Sequence, residues 1–384
     1  MKRSILALAA LATCAGAVHA ADSVTMFGGV DGNVTRVNAD GRGHIWQMRD
    51  GGMYVSKLGF TGSEDLGGGF RAHFYLESQS SSDTGVGAAT NTNNLFSGSS
   101  SGSGLTWNRK ATVSLFTPVG EIRLGRDYTS TFVPATYFDP FFSAGVASAV
   151  NYQPYYKYIS SIGQTLAPGT LVRASNMIGY YIPATWVPGM YLYGQAALSE
   201  GTGARFTGVG TGYRIGALFM AAAYGKTKQV LIDTGAYLTA PTASPDNNLT
   251  VWSAGASYRL TNGLTFMGFY HSQKLDAFGQ LGSPVGTEFD RKVDDYQVGF
   301  SWAIGVNTIK AAYMKRNDKG VANADSKQYG LGYSYHLSKR TAVYANYVNI
   351  KNDNSANYNF ISSGFLPAAG GKASAIQAGL SHNF

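Results

Sequence analysis

The 384-residue chain has only 14% charged residues, with glycine (49), tyrosine (25) and phenylalanine (20) in excess. Aromatic content on that scale excludes a disordered chain, and a single cysteine excludes a disulfide framework. The 30 basic residues outnumber the 22 acidic ones but are scattered along the chain, which argues against a nucleic-acid partner.

Residues 1–20 read as a secretory signal peptide, with Lys2 and Arg3 as the basic start and Ile5 to Ala12 as the apolar centre. Val18-His19-Ala20 offers a cleavage site, leaving 21–384 as the mature chain. Cys14 lies inside this leader, and Thr13 before it makes a poor lipoprotein signal. Beyond the leader no apolar run approaches the ~20 residues of a membrane helix. Two classes survive: a secreted soluble β protein and a membrane β-barrel.

Periodicity separates them. Strands are predicted at 24–37, 53–62, 69–79, 107–117, 120–128, 171–183, 189–199 and 205–215. A second set follows at 217–227, 250–261, 263–275, 292–303, 305–316, 326–337, 340–351 and 373–384. Alternation is plainest late in the chain: Tyr329, Leu331, Tyr333 and Tyr335 interleave with Gln328, Gly330, Gly332 and Ser334. Segments of about ten residues suit a tilted bilayer crossing. Aromatics near their ends suit interfacial girdles. A face of glycine, serine and charge would make a poor core but lines a wet lumen.

Short turns such as Thr117-Pro118-Val119-Gly120 and Leu260-Thr261-Asn262-Gly263 alternate with long connections near 80–106, 129–170, 228–249, 276–291 and 352–372. That asymmetry belongs to outer-membrane barrels. The expected fold is all-β, a closed antiparallel transmembrane barrel of sixteen strands. Such a barrel encloses an aqueous channel. Closure pairs every backbone group and leaves no edge, so no disulfide is needed.

The opening Val24-Thr25-Met26-Phe27-Gly28-Gly29-Val30-Asp31 resembles the first strand of the general porins of Gram-negative bacteria, in the neisserial and β-proteobacterial branch. Leu58-Gly59-Phe60-Thr61-Gly62-Ser63-Glu64-Asp65-Leu66-Gly67, followed by Leu76-Glu77-Ser78, is similar to the most recognisable block of that family. Leu124-Gly125-Arg126-Asp127-Tyr128 and the terminal Gly379-Leu380-Ser381-His382-Asn383-Phe384 match too, and the resemblance spans essentially the whole mature chain. It implies a homotrimeric passive channel in the outer membrane, in contact with lipid and lipopolysaccharide, admitting small ions and hydrophilic solutes without a cofactor. It also implies that the third outer loop, here 129–170, folds into the lumen. Phe384 resembles the terminal aromatic recognised by the outer-membrane assembly machinery.

Filtering in such a pore needs charge on the lumen wall at its narrowest point. Basic residues facing lipid at mid-depth would cost ~2–4 kcal/mol, so strand arginines and lysines are expected to point inward. By alternation Lys57 opposes Leu58 and Phe60, and Arg71 runs in phase with His73, Tyr75 and Glu77. By resemblance, Lys57, Arg109 and Arg173 match the basic cluster of the constriction. The family usually has arginine at the first position, and lysine keeps the charge but loses the planar fork. General porins oppose that cluster with loop carboxylates, and this loop offers Asp139 and little else. The expected consequence is a weak anion preference. Asp31 and Glu77 are expected as secondary lumen groups, with structural pairing as the alternative. Arg126 follows Ile122 and Leu124 outward, toward a subunit contact or a structural pair.

Catalysis finds no constellation. Gly98-Ser99-Ser100-Ser101-Gly102 fits a nucleophile elbow on paper but lies in a Ser/Gly loop without strand or helix. The mature histidines lack metal-ligand spacing. Two rivals remain: a non-conducting adhesin or structural barrel, and a solute-specific pore in which Tyr152, Tyr155, Tyr156 and Tyr158 form a stacking track.

Overall fold

The computed structural model describes residues 23–94, 104–152, 170–200, 203–228, 248–278, 288–319, 324–354, 356–360 and 364–384. The leader, Cys14, the 98–102 serine cluster and Tyr155, Tyr156 and Tyr158 lie outside the described residues. The strands are β1 (Ser23–Ala39), β2 (Gly43–Asp50), β3 (Lys57–Gly67), β4 (Phe70–Gln79), β5 (Lys110–Thr117) and β6 (Gly120–Tyr128). Next come β7 (Arg173–Tyr181), β8 (Met190–Ala197), β9 (Arg205–Ile215), β10 (Leu218–Lys228), β11 (Asn248–Arg259) and β12 (Leu264–Phe278). The chain ends with β13 (Glu288–Ile304), β14 (Asn307–Asp318), β15 (Ser326–His336), β16 (Thr341–Asn352) and β17 (Lys372–Asn383). Each strand from β3 onward pairs antiparallel with the next, and β17 pairs with β1 from Gly29↔Asn383 to Ala39↔Ala373, which closes the ring.

The seventeen strands of the described residues make a sixteen-stave barrel because β2 and β3 share one stave. β1 pairs with β3 over Ser23–Gly29 and with β2 over Gly32–Ala39. Between them residues 51–56 leave the ladder, and Asp31 holds them. Its carboxylate accepts the amides of Gly52 and Met53 at 2.9 Å, that of Tyr54 at 3.1 Å and the Tyr344 hydroxyl at 2.5 Å. The expected strand at 53–62 is therefore corrected: its first four residues fall in this break, and the strand proper is β3 (Lys57–Gly67), the lower half of a longer stave. Its upper half, Gly43–Asp50, was hidden because Asp50-Gly51-Gly52 reads as a turn.

Alternation sets the two faces of the wall. Along β15, Tyr329, Leu331, Tyr333 and Tyr335 are exposed to the outside, while Gln328, Gly330 and Ser334 are buried inside. Tyrosine pairs across neighbouring strands, such as Tyr313 with Tyr329 and Tyr270 with Tyr296, reinforce the outer surface. In a bilayer this face meets hydrocarbon and the ladder satisfies every strand amide internally.

Between β6 and β7 the chain turns into the barrel. A short helix, α1 (Phe132–Tyr137), packs on β10, β11 and β12. The loop then runs along the inner wall and reaches the far side, where the Gly145 amide donates to the Gly51 carbonyl at 2.9 Å. Inward glycines give it room. A Cβ on Gly255 would lie 2.2 Å from the Phe138 ring, and one on Gly299 would lie 2.8 Å from Pro140. A Cβ on Gly330 would meet Ala147 at 2.9 Å. The glycine-rich inner face, read from the sequence as wet lumen, is in part the seat of this loop.

Candidate functional site

The inward loop and the wall beneath β2 to β7 enclose a cavity whose two sides differ sharply in charge. On the wall side stand Arg49, Arg109 and Arg173, with Tyr128 among them and one acid, Asp50, beside Arg49. The loop side presents Phe132, Val133, Thr136, Tyr137 and Phe142. Between Thr129 and Tyr152 the loop has one charged residue, Asp139, and it is fully buried.

The basic wall is built from four strands around one carboxylate. Glu77 on β4 receives Lys57 Nζ of β3 on Oε2 at 3.1 Å and the Tyr75 hydroxyl at 2.9 Å. Its Oε1 receives Arg109 Nε, just before β5. Arg109 Nη2 also reaches the Tyr128 hydroxyl at 2.7 Å. Arg173, opening β7, lies over the Tyr128 ring at 4.5 Å and donates to the same hydroxyl at 3.0 Å. Lys57, Arg109 and Arg173 with one acid between them leave a positive balance. Lower on the wall Arg123 is neutralised by Glu121 and Asp127, and Lys110 also pairs with Asp127.

The structure brings Lys57, Arg109, Arg173 and Glu77 together as the sequence suggests, and separates others. Arg71 does not join them. It sits one residue inside the start of β4 and stacks on Phe116 at 3.9 Å, near the short-turn rim. Asp139 faces away from the lumen. It accepts the amides of Phe141 and Ser143 at 3.0 Å and of Ala149 at 2.8 Å, with Gln297 Nε2 at 3.3 Å. Burial pushes its carboxyl above the ordinary aspartate range, opposed by these donors, which favour the anion. Asp139 is therefore the staple of the loop, not a counter-charge in the pore. Asp31, expected in the lumen, is likewise 1% exposed and spent on the β2–β3 break.

Tyr152 is also withdrawn from solvent. Its hydroxyl bonds Ser326 at 2.5 Å, its ring packs edge-on to Tyr358, and its carbonyl receives Arg316 Nη2. A stacking track thus loses its first rung, and the other three tyrosines lie outside the described residues. The phase of Ile122 and Leu124 would carry Arg126 outward to a subunit contact, but the structure gives it local partners instead. A bulge between Gly125 and Asp127 turns it onto the carbonyls of Asn108 (2.7 Å) and Asn91 (3.0 Å) and the Ser175 hydroxyl (2.8 Å). Phe384 closes β17 beside β1, its amide and carbonyl pairing with Gly28.

Several working residues escaped the sequence reading. Arg49 joins the basic wall and stacks at 5.0 Å on Phe360. Arg316 is wholly buried and grips Asp295 with Nε and Nη2, both at 2.7 Å, with His271 3.5 Å from the same carboxylate. In-phase alternation along β2 and β14 was the available signal for both.

A closed, two-faced, sixteen-stave barrel narrowed by an internal loop defines a transmembrane diffusion channel. The family model for Gram-negative porin matches residues 7–355, and the chain belongs to that family, an outer-membrane channel for small hydrophilic solutes. Outer membrane porin protein 32 of Delftia acidovorans is 31% identical over 394 residues, covering 100% of both chains. A Bordetella pertussis outer membrane porin is 27% identical over 430 residues, again covering 100% of both. Among solved structures, an anion-selective porin from Comamonas acidovorans superimposes with TM-score 0.76 at 27% identity, covering 94% of this chain and 100% of that one. Salmonella typhi OmpF shares the fold alone, with TM-score 0.60 at 15% identity.

Proposed function

We propose that the pore prefers anions and that Lys57, Arg109 and Arg173, joined by Arg49, carry the preference. The observation behind this reading is the unequal eyelet: on the wall four basic side chains outnumber the acids Glu77 and Asp50, and the opposing loop face has its lone acid sealed in the loop's own turn. At 4 Å a unit charge is worth about 1 kcal/mol in bulk water and several times that in a partly desolvated constriction, enough for a several-fold preference. An ion in contact with these side chains lies within the ~8 Å physiological screening length, so salt blunts the field only in part. Similarity to the Comamonas porin described as anion-selective supports the same direction.

The assembly is read as a homotrimer, in keeping with the family, with lipid and lipopolysaccharide around its outer face. Phe384, placed at the end of the last strand, is read as the contact for the assembly machinery. Reversal potentials across a planar bilayer in a KCl gradient test the main claim. A sign corresponding to chloride is expected, and cation selectivity would overturn it.

A further inference from the structure

Tyr128 stands in the eyelet with its oxygen already engaged and its proton not. The phenol oxygen receives Nη2 of Arg109 at 2.7 Å and Nη2 of Arg173 at 3.0 Å. Guanidinium groups hold donors and no acceptor, so neither arginine can take the phenol's own proton. Among the described residues none accepts it.

The ring cannot swing to find a partner elsewhere. Phe132 of the inward loop stacks on it at 5.5 Å and 12°, and the Arg173 guanidinium lies over it at 4.5 Å. With two cations on the oxygen, the hydroxyl proton is left to turn toward the cavity that Tyr128 lines. A donor held there beside two fixed positive charges is a partial cradle for an anion.

We infer that Tyr128 is a specificity-determining donor that, with Arg109 and Arg173, receives an oxygen of a passing carboxylate or phosphate and favours such oxyanions over halides. The inference rests on the anion-preferring reading and goes beyond it. Coulomb attraction to the arginines serves chloride and oxyanions alike. An O–H donor to an anionic oxygen adds a short, directional bond that is about twice as strong as a neutral one.

The test measures chloride current through reconstituted channels at constant potassium while inorganic phosphate or, in a parallel arm, acetate is added. Wild type, Tyr128→Phe and Phe132→Leu are compared. In the wild type at least one probe should reduce chloride current saturably. In Tyr128→Phe its half-inhibiting concentration should rise roughly tenfold, the scale of one hydrogen bond to a charged group. Phe132→Leu, which loses the stacking partner but keeps the hydroxyl, should lose less sensitivity than Tyr128→Phe. The arm that responds tells phosphate from carboxylate. Wild-type sensitivity in Tyr128→Phe, equal loss in both variants, or no inhibition of an anion-selective wild type would each overturn the inference. A cation-selective wild type would instead sink the reading beneath it.

Discussion

Removing the Asp139 carboxylate separates two roles that the same acid could play in a porin loop. In this structure Asp139 is 0% exposed, and its oxygens hold the amides of Phe141, Ser143 and Ala149. A buried amide without its acceptor costs about 1–3 kcal/mol, so Asp139→Ala charges the loop roughly 3–9 kcal/mol if it stays in place. The neighbouring anchor, Phe138, contributes only about 1.5–3 kcal/mol through its burial. The loop should therefore leave its seat, while the barrel, paired independently around its ring, persists. Single-channel recording should show higher conductance, with weaker anion preference because ions then pass farther from the basic wall. Asp139→Asn should act in the same direction with smaller size, since one carboxylate oxygen becomes a donor facing amides. A lumen-facing acid predicts the opposite: unchanged conductance with stronger anion preference. That pattern would refute the staple.

The remaining predictions concern the wall and its supports. Glu77→Gln removes the acid shared by Lys57 and Arg109 and should strengthen anion preference several-fold, on the scale of about 1 kcal/mol at 4 Å. A reversal potential shifted the other way would contradict the charge assignment. Gly255→Val places a carbon 2.2 Å from the Phe138 ring. Overpacking of this kind costs about 1–3 kcal/mol, so conductance should rise with the folded barrel intact on a heat-modifiability gel. Arg316→Met leaves Asp295 charged and buried without its bidentate partner, a loss of about 3–5 kcal/mol. The thermal transition of the strand circular dichroism signal should fall, and an unmoved Tm would deny the pair that role.

The barrel was legible because its rule is local. A wall with hydrocarbon outside forces contrasting faces on every strand, so alternation along Tyr329 to Tyr335 reports both strand and orientation without knowledge of any neighbour. The missed stave half shows where that rule stops. Gly43–Asp50 alternates, with Trp46 and Met48 outward, but the next residues, Gly51 and Gly52, carry the composition of a turn. They are instead an interruption within one stave. What identifies it is a carboxylate twenty residues earlier and a tyrosine hydroxyl on β16, a link that no local pattern contains.

The site divides along the same line. Phase set Lys57 on the inner side, because lipid repels a charge and the lumen is the one alternative, and family resemblance grouped it with Arg109 and Arg173. Arg71 shares the inward phase yet stacks on Phe116 near the rim, because phase gives no depth. The acids were not placed well, because phase gives the side of the wall and says nothing about what covers that side. Asp139 offered a local hint: an Asp-Pro step opening a turn favours capture of nearby amides by the aspartate itself, as the bond to Phe141 two residues on bears out. The inward glycines carried a stronger hint. A lumen bathed only in water has no need of Gly255, Gly299 and Gly330, where larger polar residues would be solvated equally well. Side chains absent from a wall that has space for them imply a second surface pressed against it. Here that surface is Phe138, Pro140 and Ala147. The glycine pattern on β11, β13 and β15 thus encodes the path of the loop, and hence which part of the wall remains free to meet an ion.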